Sequence, residues 1–180
     1  MVRLIPLVVV VALPAAASTV VAESIEEMAA VAPVVVHARV QAAQSAWDGE
    51  HRRIWTWTEL KVHESLKGAA PTIILVKQPG GVVGGVGQAV SGAASFVIGE
   101  ELVAFLEPCD EANVFQVRAL SLGKVTFEQR AGQPRAVRTL EGLAFARPGA
   151  STLVAPPPGD LGTPEAFLAR VRLAVRRGGR

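Results

Sequence analysis

The chain has 180 residues, 50% of them hydrophobic and 19% charged, with a formal net charge of +2. That length and apolar content suit one domain with its own core, and they exclude a disordered chain or one built to coat nucleic acid. The charge is uneven: residues 1–111 carry 12 acids against 7 bases, and residues 112–180 carry 4 acids against 11 bases.

Arg3 precedes an apolar run over residues 4–13, and Pro14-Ala15-Ala16-Ala17 ends it with small residues. This is the pattern of a secretory signal peptide over residues 1–17, with cleavage after Ala22 as the alternative. The run is too short for a permanent membrane span of roughly 20 residues. The expected location is therefore periplasmic or secreted, with no integral membrane segment once the leader is removed. In such a compartment the single cysteine, Cys109, has no internal disulfide partner. Pro108, Asp110 and Glu111 surround it, and neighbouring acid suppresses the thiolate a nucleophile needs.

Ser24-Ile25-Glu26-Glu27 has the S-x-x-E form of a capping box and predicts a short helix that Pro33 stops. From Val34 the period becomes two, with Val34, Val36, Ala38, Val40 and Ala42 on one face. A second alternating run follows Asp48-Gly49. Ile54, Leu60, Val62 and Leu66 share one of its faces, and Trp55, Trp57, Glu59, Lys61 and His63 the other. The two runs predict a hairpin. Cross-strand charge favours a register that sets Glu59 opposite Arg39, closed by a bulge or a three-residue loop.

Residues 72–78 predict a further strand, rich in β-branched residues. Residues 79–95 then read as a long apolar loop studded with Gly80, Gly81, Gly84 and Gly85. Strands are expected over 101–107, 114–119 and 124–128, and a turn at Ala131-Gly132-Gln133-Pro134. Residues 147–162, carrying Pro156-Pro157-Pro158, predict an extended strap outside regular structure. Thr163, Pro164 and Glu165 open a C-terminal helix over 163–177, with Phe167, Leu168, Val171, Ala174 and Val175 on one face. The predicted fold is mainly β: a small OB-like antiparallel barrel of about six strands over residues 24–140, with a short N-terminal and a longer C-terminal helix.

Few functional signals accompany this fold. The glycine loop lacks G-x-G-x-x-G and a P-loop lysine, so nucleotide binding is not expected. His37, His51 and His63 belong to one hairpin without acidic residues in ligand spacing, so no metal site is predicted. No nucleophile elbow or facing carboxylate pair is present. The chain reads as non-enzymatic and without a cofactor. If it is an enzyme, Cys109 and His63 are the residues to suspect. The candidate binding residues are Gly80, Gly81, Gly84 and Gly85 of the loop, with Trp55 and Trp57 on the outer hairpin face. Exposed tryptophans need a cover, and the apolar stripe of the C-terminal helix is expected to supply it; the alternative is a partner patch. The arginines at 170, 172, 176, 177 and 180 suit either an anionic surface or a solvated helix face.

Glu64-Ser65-Leu66-Lys67-Gly68, Pro79-Gly80-Gly81, Gly84-Gly85, Gly99-Glu100-Glu101 and Gly123-Lys124-Val125 together resemble the landmarks of a group of secreted bacterial proteins of uncharacterised function. The same rhythm is distantly similar to the OB-like barrel of netrin-type and metalloproteinase-inhibitor-type domains. That likeness implies a barrel fold and a possible protease-associated partner. The inhibitors use a disulfide-held N-terminal cysteine, and Ser18 or Glu23 stands at the corresponding end here, so no functional residue transfers.

Overall fold

The computed structural model describes residues 17–147, 149 and 152–178. The signal-peptide reading of residues 1–17 thus lies almost wholly outside the described residues. In chain order the elements are β1 (Ser18–Val21), α1 (Ile25–Val31), β2 (Val34–Trp47), β3 (Ile54–Lys67), β4 (Ile73–Pro79), β5 (Gly81–Val83) and β6 (Val86–Gln88). There follow β7 (Glu101–Pro108), β8 (Val114–Val117), a 3-10 turn (Leu120–Gly123), β9 (Lys124–Arg130), β10 (Gln133–Val137), β11 (Leu143–Ala146) and α2 (Pro164–Gly178).

One sheet runs in the order β10-β9-β7-β2-β3-β4-β8, and β8 returns to pair with β7. That return closes a five-strand barrel from β2, β3, β4, β8 and β7, leaving β9 and β10 as an extension. All ring pairs are antiparallel except β4 with β8. Counted along the chain, the ring reads first-second-third-fifth-fourth. The fold is therefore the expected OB-like barrel, mainly β, with two helices.

Two cores result. Val36, Ala38, Val40, Leu60, Ile74, Val76, Leu102, Ala104 and Leu106 fill the barrel. Val35, Val103 and Phe105, pointing the other way from the same strands, join Ile25, Met28, Phe167 and Val171 in a second core beneath the helices. Sheet residues alternate faces, so the long strands β2 and β7 serve both. The capping box forms as predicted: Ser24 Oγ accepts from the Glu27 N–H, and Glu27 Oε2 accepts from the Ser24 N–H at 2.7 Å. At the other end of α1, Lys67 Nζ donates to the carbonyls of Ala29 and Ala30, both at 2.8 Å.

The β2–β3 hairpin departs from its predicted register. Arg39 faces Lys61, not Glu59. The like-charge pair is tolerated because Glu101 on the other neighbour, β7, receives Arg39 at 3.2 Å and His37 at 2.6 Å. Unpaired residues at Gln41, His63 and Leu66 shift the register three times. Each bulge exchanges the faces, so Ala42 leaves the barrel side, and Leu66 joins the core beneath the helices instead of the barrel interior. The closing connection is longer than expected, six residues between Trp47 and Ile54.

Other corrections concern short elements. Gln133 and Pro134, expected in a turn, begin β10; the strand lies at the sheet edge, where Pro134 lacks only a bond it need not make. Residues 152–162 keep the strap reading: they meet the strands at isolated bridges Val137–Asp160 and Phe145–Val154 and at the Arg135–Asp160 ion pair, without forming a strand of their own. The helix α2 packs on α1 and on the start of the barrel, not on Trp55 and Trp57.

Candidate functional site

The glycine-rich stretch is not a loop but a second small hairpin, β5–β6, standing on the rim of the barrel. Gly84 and Gly85 form its two-residue turn with φ of +56° and +81°, the pair of left-handed residues that a type I′ turn requires. Its base is fixed by its neighbours. The Ile54 N–H donates to Gln88 Oε1 at 2.6 Å, Gln88 Nε2 donates to the Arg52 carbonyl at 3.2 Å, and the Gly80 N–H donates to the Ile54 carbonyl at 2.8 Å. Gly81 lies against the Ser45–Thr56 hydroxyl pair, and Thr56 Oγ1 donates on to the Gly80 carbonyl at 2.7 Å. Four candidate glycines thus divide by role: Gly80 and Gly81 let the backbone approach β2 and β3, and Gly84 and Gly85 turn the tip.

Beyond the hairpin, residues 89–96 fold back over the barrel mouth. Ala94 enters the barrel core, Ser91 Oγ donates to the Gly142 carbonyl at 3.0 Å, and Lys124 Nζ donates to the Ser95 carbonyl. Lys124 also pairs with Glu100 at 2.5 Å, and burial lowers its pKa despite that partner. The segment is therefore pinned, and the hairpin tip protrudes from a fixed base. Its apolar side chains stay in solvent. Of the eleven large hydrophobic residues exposed among the described residues, Val82, Val86 and Val90 belong to this stretch, and Val97 and Ile98 follow it directly.

Trp55 and Trp57 lie on the outer face of β3, opposite the Thr56 side chain on which the hairpin base rests. Lys77 of β4 spans both indole rings, 5.2 and 5.3 Å from their centroids. Ala42, Gln44, Ala46, Glu59 and Leu75 complete a shallow concave face of about 610 Å³ next to Trp57. The expected helix cover is absent because the α2 stripe is consumed elsewhere: Phe167, Val171 and Ala174 are buried with Met28, Val35 and Phe105. The tail arginines are engaged there too. Arg170 grips Glu26 at 2.7 and 2.8 Å, and Arg172 grips Glu64 at 3.0 and 2.6 Å.

The structure separates the residues that an enzyme reading would join. His37 and His63 come together, ring centroids 5.4 Å apart, with Glu101 on His37. Cys109 follows the opposite end of β7, six residues beyond the Val103 that pairs with His37, roughly 20 Å along an extended strand. His51 stacks on Trp47 in the connecting loop. No group of three or more potential metal ligands gathers among the described residues.

Gly80, Gly81, Gly84 and Gly85, expected in a loop, belong to this hairpin, whose exposed Val82 and Val86 and anchor Gln88 are not among the sequence-predicted site residues. The signal was present: two short runs separated by Gly84-Gly85 form a hairpin pattern. No family model matches this chain, and no curated protein is recognisably similar to it.

Proposed function

We propose that the chain is a non-enzymatic β-barrel module acting outside the cytoplasm, and that it binds a protein partner through residues 79–95. The observation that carries this reading is the concentration of exposed Val82, Val86 and Val90 on a hairpin whose base is hydrogen-bonded in place. Exposed aliphatic side chains on a protruding element are costly unless a partner covers them, and a fixed base lowers the ordering entropy lost on binding. Among the described residues β5 and β6 pair only with each other, and since β5 lies against β2 and β3, the exposed β6 offers the edge that can accept a further strand by backbone bonds.

Site-specific photocrosslinking tests the reading. A photoreactive residue at position 82 or 86, in cells that produce the protein, should give one discrete adduct. The same residue at Ile73 or Leu153, which are also exposed, should not. Equal adducts at all four positions, or none at 82 and 86, would remove the hairpin as the binding surface.

A further inference from the structure

A cleft of about 640 Å³ lies between the start of α1 and the proline strap. Arg138 lines it, immediately after β10. Its exposure is only 4%, yet its guanidinium is almost without acceptors. Nη2 reaches the Pro158 carbonyl at 3.4 Å, and Nε and Nη1 have no hydrogen-bond partner among the described residues. Burial, with Arg170 nearby, lowers its pKa to about 10, so the group remains a cation at neutral pH.

The surrounding carboxylates are all committed elsewhere. Glu26 is held by Arg170, Asp160 by Arg135 at 2.8 Å, and Glu23 by Arg118 at 2.7 Å. Glu27 accepts from the N–H and hydroxyl of Ser24 at 2.7 and 2.8 Å. Glu26 is near enough to attract Arg138 but is bonded to Arg170, and a buried guanidinium left without acceptors is costly until an anion or an acceptor satisfies it. The rest of the cleft wall is largely apolar, from Val154, Ala155, Pro156, Pro157 and Leu161, with Arg147 at an exposed position. Its volume falls in the range of small-molecule sites, roughly 300–1,000 Å³.

We propose that this cleft binds a small organic acid, with its carboxylate on the Arg138 guanidinium and its apolar body along Pro156–Pro158. A carboxylate matches the buried Arg138 guanidinium, and an apolar body matches the proline wall. Phosphate offers the same oxyanion chemistry without the body, so it separates the two halves of the proposal.

Arginine side-chain NMR on the full chain provides the test, with hexanoate, hexylamine and inorganic phosphate as probes. Hexanoate should shift the Arg138 Nε–H resonance saturably, with a Kd below about 1 mM. Phosphate should bind at least tenfold more weakly, by roughly the margin that separates one affinity decade from the next. Hexylamine should leave the resonance in place. Arg138→Gln should abolish hexanoate binding measured by calorimetry, and Arg176→Gln, an exposed arginine outside the cleft lining, should retain it. The wild-type resonance keeps the test valid even if the Arg138 variant folds poorly. No saturable shift with hexanoate, an equal shift with phosphate, or undiminished binding by Arg138→Gln would each overturn the proposal.

Discussion

Arg172 holds Glu64 in a two-point fork, Nε to Oε1 at 3.0 Å and Nη2 to Oε2 at 2.6 Å. The fork fixes where α2 sits: at the far end of β3, nine residues along the strand from Trp55. Ion pairing selects this place less than packing does. Both partners of the fork are about 40% exposed (41% and 39%), where a pair contributes about 0.2–1 kcal/mol, whereas Phe167 is fully buried. Phe167→Ala should therefore cost about 3–5 kcal/mol in urea unfolding, and Arg172→Ala less than about 1 kcal/mol. Equal costs would show that the helix is held by charge and not by its apolar face.

The same forks set an acid dependence. Hydrogen bonds from Arg172 and Arg170 hold the Glu64 and Glu26 carboxyls below the usual carboxylate range. A depressed folded pKa gives stability that is present above the unfolded value, near 4.3, and is lost as pH falls through the folded value. The unfolding midpoint should drop below about pH 4, and Glu64→Gln with Glu26→Gln should flatten that drop. Because the pairs are half-exposed, raising salt from about 0.05 to about 0.5 M should flatten it as well.

Much of this architecture is legible in the residues, and the parts that are not share a cause. Ser24 and Glu27 bond to each other's backbone, and Thr163 Oγ1 accepts from the Ala166 N–H while Pro164 fixes the first helical φ, so sequence spacing alone locates both helix starts. The even-numbered residues Val34, Val36, Ala38 and Val40 face the barrel as their period demands. Past Gln41 the rule fails, because a bulge is decided by the partner strand and not by the bulged one. The Arg39–Lys61 pair shows the same limit: its compensation by Glu101 lies 62 residues away along the chain. Arg138 was invisible as a site residue for that reason too. Nothing local marks it as buried; the strap and α1 bury it.

The two kinds of glycine in the β5–β6 hairpin should respond oppositely to substitution. At Gly81, with φ of +138°, an added Cβ would stand 2.4 Å from Ser45 Oγ and 2.5 Å from Thr56 Oγ1. Gly81→Ala should cost more than about 2 kcal/mol, since both the conformation and the space oppose it. Around Gly84 nothing lies within 4 Å, and its φ of +56° is one asparagine accepts. Gly84→Asn should change the melting temperature by less than about 2 °C, a shift worth under 1 kcal/mol for a domain of this size. Matching losses at the two positions would mean the hairpin base is not seated on the Ser45–Thr56 pair.

The leader reading left two cleavage sites, after Ala17 or after Ala22, and the fold distinguishes their consequences. Residues Ser18–Val21 form β1, which runs parallel to β11 from Ser18 opposite Leu143 to Val21 opposite Ala146. The Ser18 N–H donates to the Gly142 carbonyl at 3.0 Å, and Ser18 Oγ donates to the Ser91 carbonyl at 2.6 Å, fastening the strand to the segment that closes the barrel mouth. Val20 packs on the core beneath the helices. Cleavage after Ala22 would discard this strand and leave β11 unpaired along one edge. A mature chain starting at Ser18 keeps it whole. If the expected leader is removed, intact-mass analysis of the mature protein should therefore give Ser18 as the first residue. A chain engineered to start at Glu23 should lose at least about 1 kcal/mol, melting roughly 2–4 °C lower for each kcal/mol lost. An exported form beginning at Glu23 with undiminished stability would show that β1 is dispensable to the fold.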